Sequence, residues 1–228
     1  TALHVAARQG QCEVLRTLLA AKAEQLPDAH GVTPLCAAAA AKPWVLNPGK
    51  DGATRGTKQY QVIRTGNNLK AVRLLLAAGS ENLHHADMMG RSPLHAAVEA
   101  GRLEIVRLLL EHNAPLDPMD KDQRTPLVVA AMLGHDEIVT ILLSAGARLD
   151  STPALHAAAK GAFHEVVRLL LEARADVNDV HDGSTPLDAL LANSNDRSHF
   201  SRAKSDVSTT LSLLVDAGAT SAIGEVDT

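Results

Sequence analysis

A short phrase recurs six times along the 228-residue chain, and an apolar segment follows most of its copies. The copies are Thr-Ala-Leu-His at Thr1, Thr-Pro-Leu-Cys at Thr33, Ser-Pro-Leu-His at Ser92, Thr-Pro-Leu-Val at Thr125, Pro-Ala-Leu-His at Pro153 and Thr-Pro-Leu-Asp at Thr185. Successive copies begin 32, 59, 33, 28 and 32 residues apart. A basic period of about 33 residues indicates stacked structural repeats. Stacked repeats form a long surface without a natural catalytic cleft, so the pattern favours binding over catalysis.

Each repeat carries the signals of two helices joined by a tight turn. In the third repeat, Ser92 is suited to cap the first helix, and Pro93 can occupy the first helical position, where no amide donor is needed. Gly101 permits the tight turn into the second helix. Apolar residues from Ile105 to Leu110 then recur at helical spacing. Such a helix pair cannot bury its apolar side alone, so the repeats must stack.

The repeats resemble the ankyrin repeat, most closely in Asp87-Met-Met-Gly-Arg-Ser-Pro-Leu-His-Ala-Ala97 and in Gly101-Arg-Leu-Glu-Ile-Val-Arg-Leu-Leu-Leu110. The resemblance covers nearly the whole chain. It implies a single all-α solenoid of about six helix–turn–helix units, with short β-hairpin fingers and two inserted loops. The predicted repeats are residues 1–27, 28–86 with an insertion at 41–68, 87–119, 120–150, 151–178 and 179–219 with an insertion at 193–208, followed by a tail at 220–228.

The composition excludes several other classes of protein. Of all residues 46% are hydrophobic but only 2% are aromatic, as expected for a core of small and aliphatic side chains. Two cysteines do not make a disulfide framework, and the sequence shows no signal-peptide pattern and no run of 18 apolar residues. We therefore expect a cytoplasmic or nuclear protein without a transmembrane segment. The net charge of −4 identifies no partner class.

No catalytic or metal-binding pattern stands out. His84, His85 and Asp87 could be drawn as a metal site, but adjacent residues point in different directions and no fourth ligand is evident. His4, His95 and His156 hold one repeated position, where we expect them to form hydrogen bonds with neighbouring turns. We predict no enzyme activity and no cofactor for this chain. Since Thr1 already lies at a helix start, we expect a longer parent protein, whose activity could lie elsewhere.

The insertion in the second repeat contains the sole tryptophan and the sole tyrosine of the chain, Trp44 and Tyr60. It carries five basic residues against one aspartate, a net charge of +4. Three interpretations remain open. The loop could fold onto the edge of the stack, it could form a partner-binding arm or a lid, or its cations could bind nucleic acid or an acidic membrane.

The resemblance also implies where a partner binds, because partners of ankyrin repeats contact the finger tips and the exposed face of the first, inner helix. On this chain the candidate residues are Met88, Met89, Arg91, Glu99, Lys121, Arg124, Met132 and Leu133, together with Trp44 and Tyr60 of the insertion. All four methionines of the chain fall in repeats 3 and 4. Surface methionine suits adaptable binding sites, although Met119 could instead fill the core under the finger. The basic residues suit a partner with acidic residues around an apolar anchor.

A shortened segment at 147–152 separates repeats 4 and 5. In an ankyrin repeat the missing residues would form the finger, so we expect a notch in the row of fingers.

We predict a monomeric, non-catalytic protein–protein interaction module or scaffold. Its partner, a peptide or a domain, would bind the concave face of repeats 2 to 4 with help from the inserted loop. Two alternatives remain: a scaffold whose basic loop 42–66 binds nucleic acid or acidic membrane, and a regulatory ankyrin domain of a larger enzyme or receptor.

Overall fold

The computed structural model describes residues 1–41, 66–149, 153–194 and 204–221. These ranges contain twelve α-helices, one short 3₁₀ helix at Ser80–Leu83, and no β-strand. The α-helices are α1 (Ala2–Gln9), α2 (Cys12–Ala20), α3 (Pro34–Ala39), α4 (Gly66–Ala77), α5 (Pro93–Glu99), α6 (Leu103–Glu111), α7 (Pro126–Leu133), α8 (Asp136–Ser144), α9 (Ala154–Lys160), α10 (His164–Glu172), α11 (Pro186–Ser194) and α12 (Lys204–Asp216). None of these helices is long and apolar enough to span a membrane.

The helices form two layers. Each odd-numbered helix packs on the next odd-numbered helix, from α1 through to α11, and these helices form the inner layer. The even-numbered helices pack on one another in the same order and form the outer layer. The result is an all-α stack of six helix pairs, which we number repeats 1 to 6, and the predicted fold class is confirmed.

Small side chains let the inner helices approach closely. Ala7, Ala39, Ala131 and Ala159 occupy the same position in four inner helices and are completely buried. Leucines fill the space between the inner and outer layers. Each outer helix contributes one leucine that is at most 1% exposed, namely Leu15, Leu75, Leu109, Leu142, Leu170 and Leu214.

Side-chain caps start inner helices α3, α5, α7 and α11, whereas α1 and α9 have none. The hydroxyl oxygen of Ser92 accepts a hydrogen bond from the backbone N–H of His95 at 3.3 Å. Thr125 caps α7 in the same way through the N–H of Val128, at 3.4 Å. In each case a proline follows the cap at the first helical position. This arrangement satisfies a donor that the helix itself leaves unpaired.

The turns between paired helices use a left-handed backbone. Gly10, Gly101 and Gly134 have φ values of 64°, 66° and 70°, which glycine adopts without steric strain. Repeat 5 differs, because Ala162 occupies this place with φ of 52°. The turn of repeat 5 therefore carries a strain that the others avoid.

In the described residues the fingers are tight turns. One isolated antiparallel β-bridge is found among these residues, between His181 and Ser184. In repeats 2, 3 and 4 the finger is closed by an aspartate, namely Asp28, Asp87 or Asp120. One oxygen of each carboxylate accepts the backbone N–H groups two and four residues later. This Asx-type turn fixes the shape of each finger tip.

Two of the sequence predictions lie outside the described residues. Residues 42–65, which include Trp44 and Tyr60, are not among them, and neither are residues 195–203 of the second insertion. The shortened segment between repeats 4 and 5 is described up to residue 149 and again from Pro153.

Candidate protein-binding surface

Exposed apolar side chains gather at the finger tips of repeat 3 and around repeat 4. The exposed fractions are 58% for Met88, 49% for Met89 and 52% for Met119. Met132 and Leu133, at the end of inner helix α7, are also exposed. The alternative that Met119 fills the core under the finger is wrong, because about half of this residue is open to solvent.

Backbone hydrogen bonds tie neighbouring finger tips together. The N–H of Met88 donates to the carbonyl oxygen of His30 in the finger of repeat 2, at 3.0 Å. The N–H of Lys121 in repeat 4 donates to the carbonyl oxygen of Met89, at 2.9 Å. Met88 and Met89 therefore project from a backbone that is held on both sides. We call this continuous row of fingers, residues 28–32, 87–91 and 120–124, the finger ribbon.

Arg91 is held inside its own repeat. Its Nε donates to Oδ2 of Asp87 at 3.0 Å, and its Nη1 lies 3.2 Å from Oε2 of Glu99. The hydrogen bond with Asp87 raises the pKa of Arg91. The guanidinium thus links the finger of repeat 3 to the end of α5, and it also engages the predicted surface residue Glu99.

Arg124 repeats this arrangement in the finger of repeat 4. Its Nε and Nη2 donate to Oδ2 of Asp120 at 2.9 and 2.8 Å, and Nη2 also lies 2.6 Å from Oδ2 of Asp122. Burial acts to raise the pKa of Asp120, but the hydrogen bonds from Arg124 and from the backbone outweigh it, and the pKa is lowered. The carboxylate therefore stays ionised and closes the finger.

These contacts change the charge of the predicted surface. Arg91 and Arg124 lie where the sequence places them, but both are paired with carboxylates of their own repeats. Lys121 is exposed, and within the described ranges no ion pair involves it. Of the three basic residues expected to meet a partner, Lys121 is the one whose charge is not matched by a described neighbour.

A groove of about 820 Å³ opens on the inner face of repeats 4, 5 and 6. Its wall at repeat 4 includes Arg124 and Met132, so the groove continues the predicted surface. Three small residues of repeats 5 and 6 also line it. They are Ala157 on inner helix α9, Gly161 directly after α9, and Ala189 on inner helix α11. Its other residues are Asp122, Val128, Pro153, His156, Lys160, His181, Asp182, Ser184, Asp188 and Ala192.

Protein-family models match most of the chain. A model of three ankyrin repeats matches residues 60–153, and a single ankyrin-repeat model matches residues 1–29 and 150–182. The chain belongs to the ankyrin-repeat family. Among solved structures, the ankyrin repeat domain of human ASB11 is similar, with a TM-score of 0.72 and 25% sequence identity. The match covers 96% of this chain and 85% of that one. The comparison with curated proteins gives no match.

Ankyrin repeats generally bind proteins and are usually non-catalytic. Within the residues that the structure describes, no group of three or more potential ligands could hold a metal ion. The imidazole of His85, one of the histidines considered for a metal site, instead lies 3.1 Å from the carbonyl oxygen of Gly31.

Histidines at the repeated position hold neighbouring ankyrin repeats together, as predicted. The Nε2 atoms of His4, His95 and His156 lie 2.7, 3.0 and 2.8 Å from carbonyl oxygens in the next finger along the stack. Since a carbonyl oxygen only accepts, each Nε2 carries the proton and donates. In the neutral form of each ring, the other nitrogen, Nδ1, is then the acceptor.

The sequence did not predict the groove residues of repeats 5 and 6. These include His156, His181 and Asp182, which lie outside the expected repeats 2 to 4. Two signals could have indicated them: the shortened segment at 147–152, and Pro153 at a position where the other repeats carry serine or threonine. Both precede inner helix α9, which lines the groove, and Pro153 itself is one of the lining residues.

Proposed function

We propose that this ankyrin-repeat domain is a protein-binding module whose partner places an apolar segment on the finger ribbon and on the end of α7. The observation that carries the proposal is the position of Met88 and Met89. Both are about half exposed or more, and both project from a backbone that is bonded to the fingers on either side.

Preorganisation supports this proposal. Because the finger ribbon is already fixed by hydrogen bonds, a partner would not have to order it on binding. The methionine side chains remain adaptable, since they are unbranched and polarisable and can fit apolar surfaces of different shape. A rigid backbone with adaptable side chains suits a partner segment with an apolar anchor.

The charges favour apolar recognition with a limited electrostatic contribution. Arg91 and Arg124 are engaged with their own carboxylates, so a partner carboxylate would have to compete for them. Lys121, at the tip of the finger of repeat 4, could pair with one acidic residue beside the anchor. The binding should then depend only weakly on salt.

The inserted loop at 42–66 extends the proposal beyond the described residues. Its tryptophan, tyrosine and basic residues are types that recur at interfaces, and its two ends join inner helix α3 to outer helix α4. We propose that it acts as an arm beside the concave face of repeats 2 to 4. The competing function, in which its net charge of +4 binds nucleic acid or acidic lipid, predicts steep salt dependence.

Affinity capture from the source cells tests the proposal, with the captured protein then purified and its affinity measured. Met88→Glu and Met132→Glu should each weaken binding by about tenfold or more, because a charge enters the apolar contact. Val5→Glu is the matched control, since Val5 is 55% exposed on α1 at the far end of the stack. Unchanged affinity in both methionine variants would contradict the proposal.

Replacing residues 42–66 by a short turn tests the arm. Loss of the captured protein at low and moderate salt would support an arm, and stronger capture would show a lid. Retention of nucleic acid or lipid alone, removed by salt, would favour the electrostatic function.

A further inference from the structure

His156 holds the same repeated position as His4 and His95, but the surroundings of its Nδ1 atom are different. In repeat 1, Nδ1 of His4 lies 2.7 Å from the hydroxyl oxygen of Thr1. In repeat 3, Nδ1 of His95 lies 3.0 Å from the hydroxyl oxygen of Ser92 and also accepts the backbone N–H of Ser92, at 3.2 Å. Repeat 5 has Pro153 at the corresponding place, and proline carries neither a hydroxyl nor an N–H.

The Nδ1 atom of His156 therefore lacks the donor that its counterparts have. In the part of the chain that the structure describes, the ring makes one hydrogen bond, from Nε2 to the carbonyl oxygen of Ser184, and one edge-to-face contact with the ring of His181 at 5.8 Å. His156 is 7% exposed, yet it lines the groove of repeats 4 to 6. An imidazole whose Nδ1 has no donor among the described residues thus borders an open groove.

The bond to Ser184 decides what kind of group can bind there. Because Nε2 donates to a carbonyl oxygen, Nδ1 is the acceptor when the ring is neutral, and the group that suits it in that form is a donor. A carboxylate, phosphate or carbonyl group offers no hydrogen to Nδ1 of the neutral ring. A backbone N–H does, and the small side chains of Ala157 and Ala189, which line the groove, leave room for a peptide backbone to approach.

We propose that this groove is a peptide-binding subsite in which an extended segment of the protein partner donates a backbone N–H to Nδ1 of His156. This inference rests on the proposed protein-binding function. Arg124 and Met132 line the groove, and both lie on the proposed binding surface, so one continuous segment could reach from the finger ribbon into repeat 5. The partner would replace the donor that Ser92 supplies to His95 within repeat 3.

A glutamine substitution separates the two ring nitrogens. In His156→Gln, the side-chain amide can still donate to the carbonyl of Ser184, but no acceptor remains at the place of Nδ1. His4→Gln is the matched control, because it makes the same change in repeat 1, away from the groove. The probe is a displayed library of linear peptides, selected on the wild-type domain and measured with each variant by calorimetry.

We expect the selected peptides to bind His156→Gln about tenfold or more weakly and His4→Gln as tightly as the wild type. Thermal unfolding should not follow this order, because His4→Gln loses its hydrogen bond with Thr1, whereas His156→Gln can keep the hydrogen bond with Ser184 and loses only the ring contact with His181. A direct readout on the wild type is the ¹⁵N resonance of Nδ1 of His156, which should shift when peptide is added.

Three results would overturn the inference. If peptides bind with an affinity that His156→Gln does not change, or if they leave the Nδ1 resonance unmoved, the subsite is wrong while the proposed function stands. If no peptide is selected and Met88→Glu also leaves the captured partner bound, the proposed function and the subsite fail together.

Discussion

The aromatic ring of Phe163 lies against the backbone of Gly134, so closely that a Cβ atom on this glycine would come within 1.9 Å of the ring. On the other side, a Cβ atom on Gly161 would lie 2.1 Å from the same ring. Phe163 thus fills the space between the turns of repeats 4 and 5. This packing requires both glycines, and Gly134 is also favoured by its left-handed backbone, with φ of 70°.

Gly134→Ala should destabilise the domain more than Gly146→Ala. Both glycines have a left-handed backbone, with φ of 70° and 92°, so both substitutions should cost about 1 kcal/mol from strain. No atom lies within 4 Å of a Cβ at Gly146, whereas the one at Gly134 meets Phe163, which should add about 1–3 kcal/mol. Urea unfolding measures the difference. Equal losses for the two variants would show that the ring moves aside without cost.

Asp120→Asn should lower the free energy of unfolding by about 2 kcal/mol at neutral pH, because Asp120 is buried and accepts two hydrogen bonds from Arg124. The folded-state pKa of Asp120 is lowered, so its stabilisation is complete above the ordinary aspartate pKa of about 3.9 and is lost as the pH falls through the folded value. Denaturant unfolding as a function of pH measures this loss. Asp28→Asn, in a finger with no arginine partner, should have a smaller effect. A difference between wild type and Asp120→Asn that persisted at strongly acid pH would contradict this account.

Stability should also fall as the pH drops below about 6.5, the ordinary histidine pKa. Burial lowers the pKa of His95, and burial lowers that of His135 as well. In the window between the folded and unfolded pKa values, the unfolded chain takes up protons that the folded chain excludes, so the folded state loses stability towards lower pH. Unfolding experiments from about pH 7.5 to about pH 5 should show this slope. The slope should be smaller in His95→Gln, and an equally steep slope in that variant would exclude His95 as a source.

Arg174→Gly should stabilise the domain by about 0.5–1 kcal/mol. Arg174 follows α10 with φ of 66°, at the place that Gly146 occupies after α8, and its side chain is exposed. Glycine removes the steric strain of the left-handed backbone, at some cost in the entropy of the unfolded chain. Gly218→Ala, at the same place after α12, is the reverse change and should destabilise. Thermal unfolding of the two variants should therefore give shifts of opposite sign, and shifts of the same sign would contradict the prediction.

The sequence predicted the repeat fold well because its signals are local. Ser92 and Pro93 define a helix start through their own chemistry, and Gly101 defines a turn through its backbone freedom. Each of these signals recurs at the same register. The stacked architecture then follows, because no helix pair can bury its apolar side alone.

The candidate site was predicted less completely, because side-chain partners depend on the folded shape. Arg91 and Arg124 were expected to face a partner, and the structure pairs each with the aspartate four residues earlier across a turn. The recurrence of this Asp–Arg spacing in two successive fingers was a usable signal. The groove was missed because its lining residues come from three repeats that only the fold brings together.

Repeat 5 combines three local weaknesses: Pro153 makes no side-chain cap, Ala162 holds a left-handed turn, and the connection before α9 is short. In a linear array each repeat draws on its own stability and on its two interfaces, so this repeat depends most on its neighbours α7 and α11. Cooperative unfolding is then expected to break at this point first, dividing the stack into two blocks. A partner segment bound across repeats 4 to 6 would hold the two blocks together. Binding in the groove would therefore make the domain more resistant to unfolding and to proteolysis.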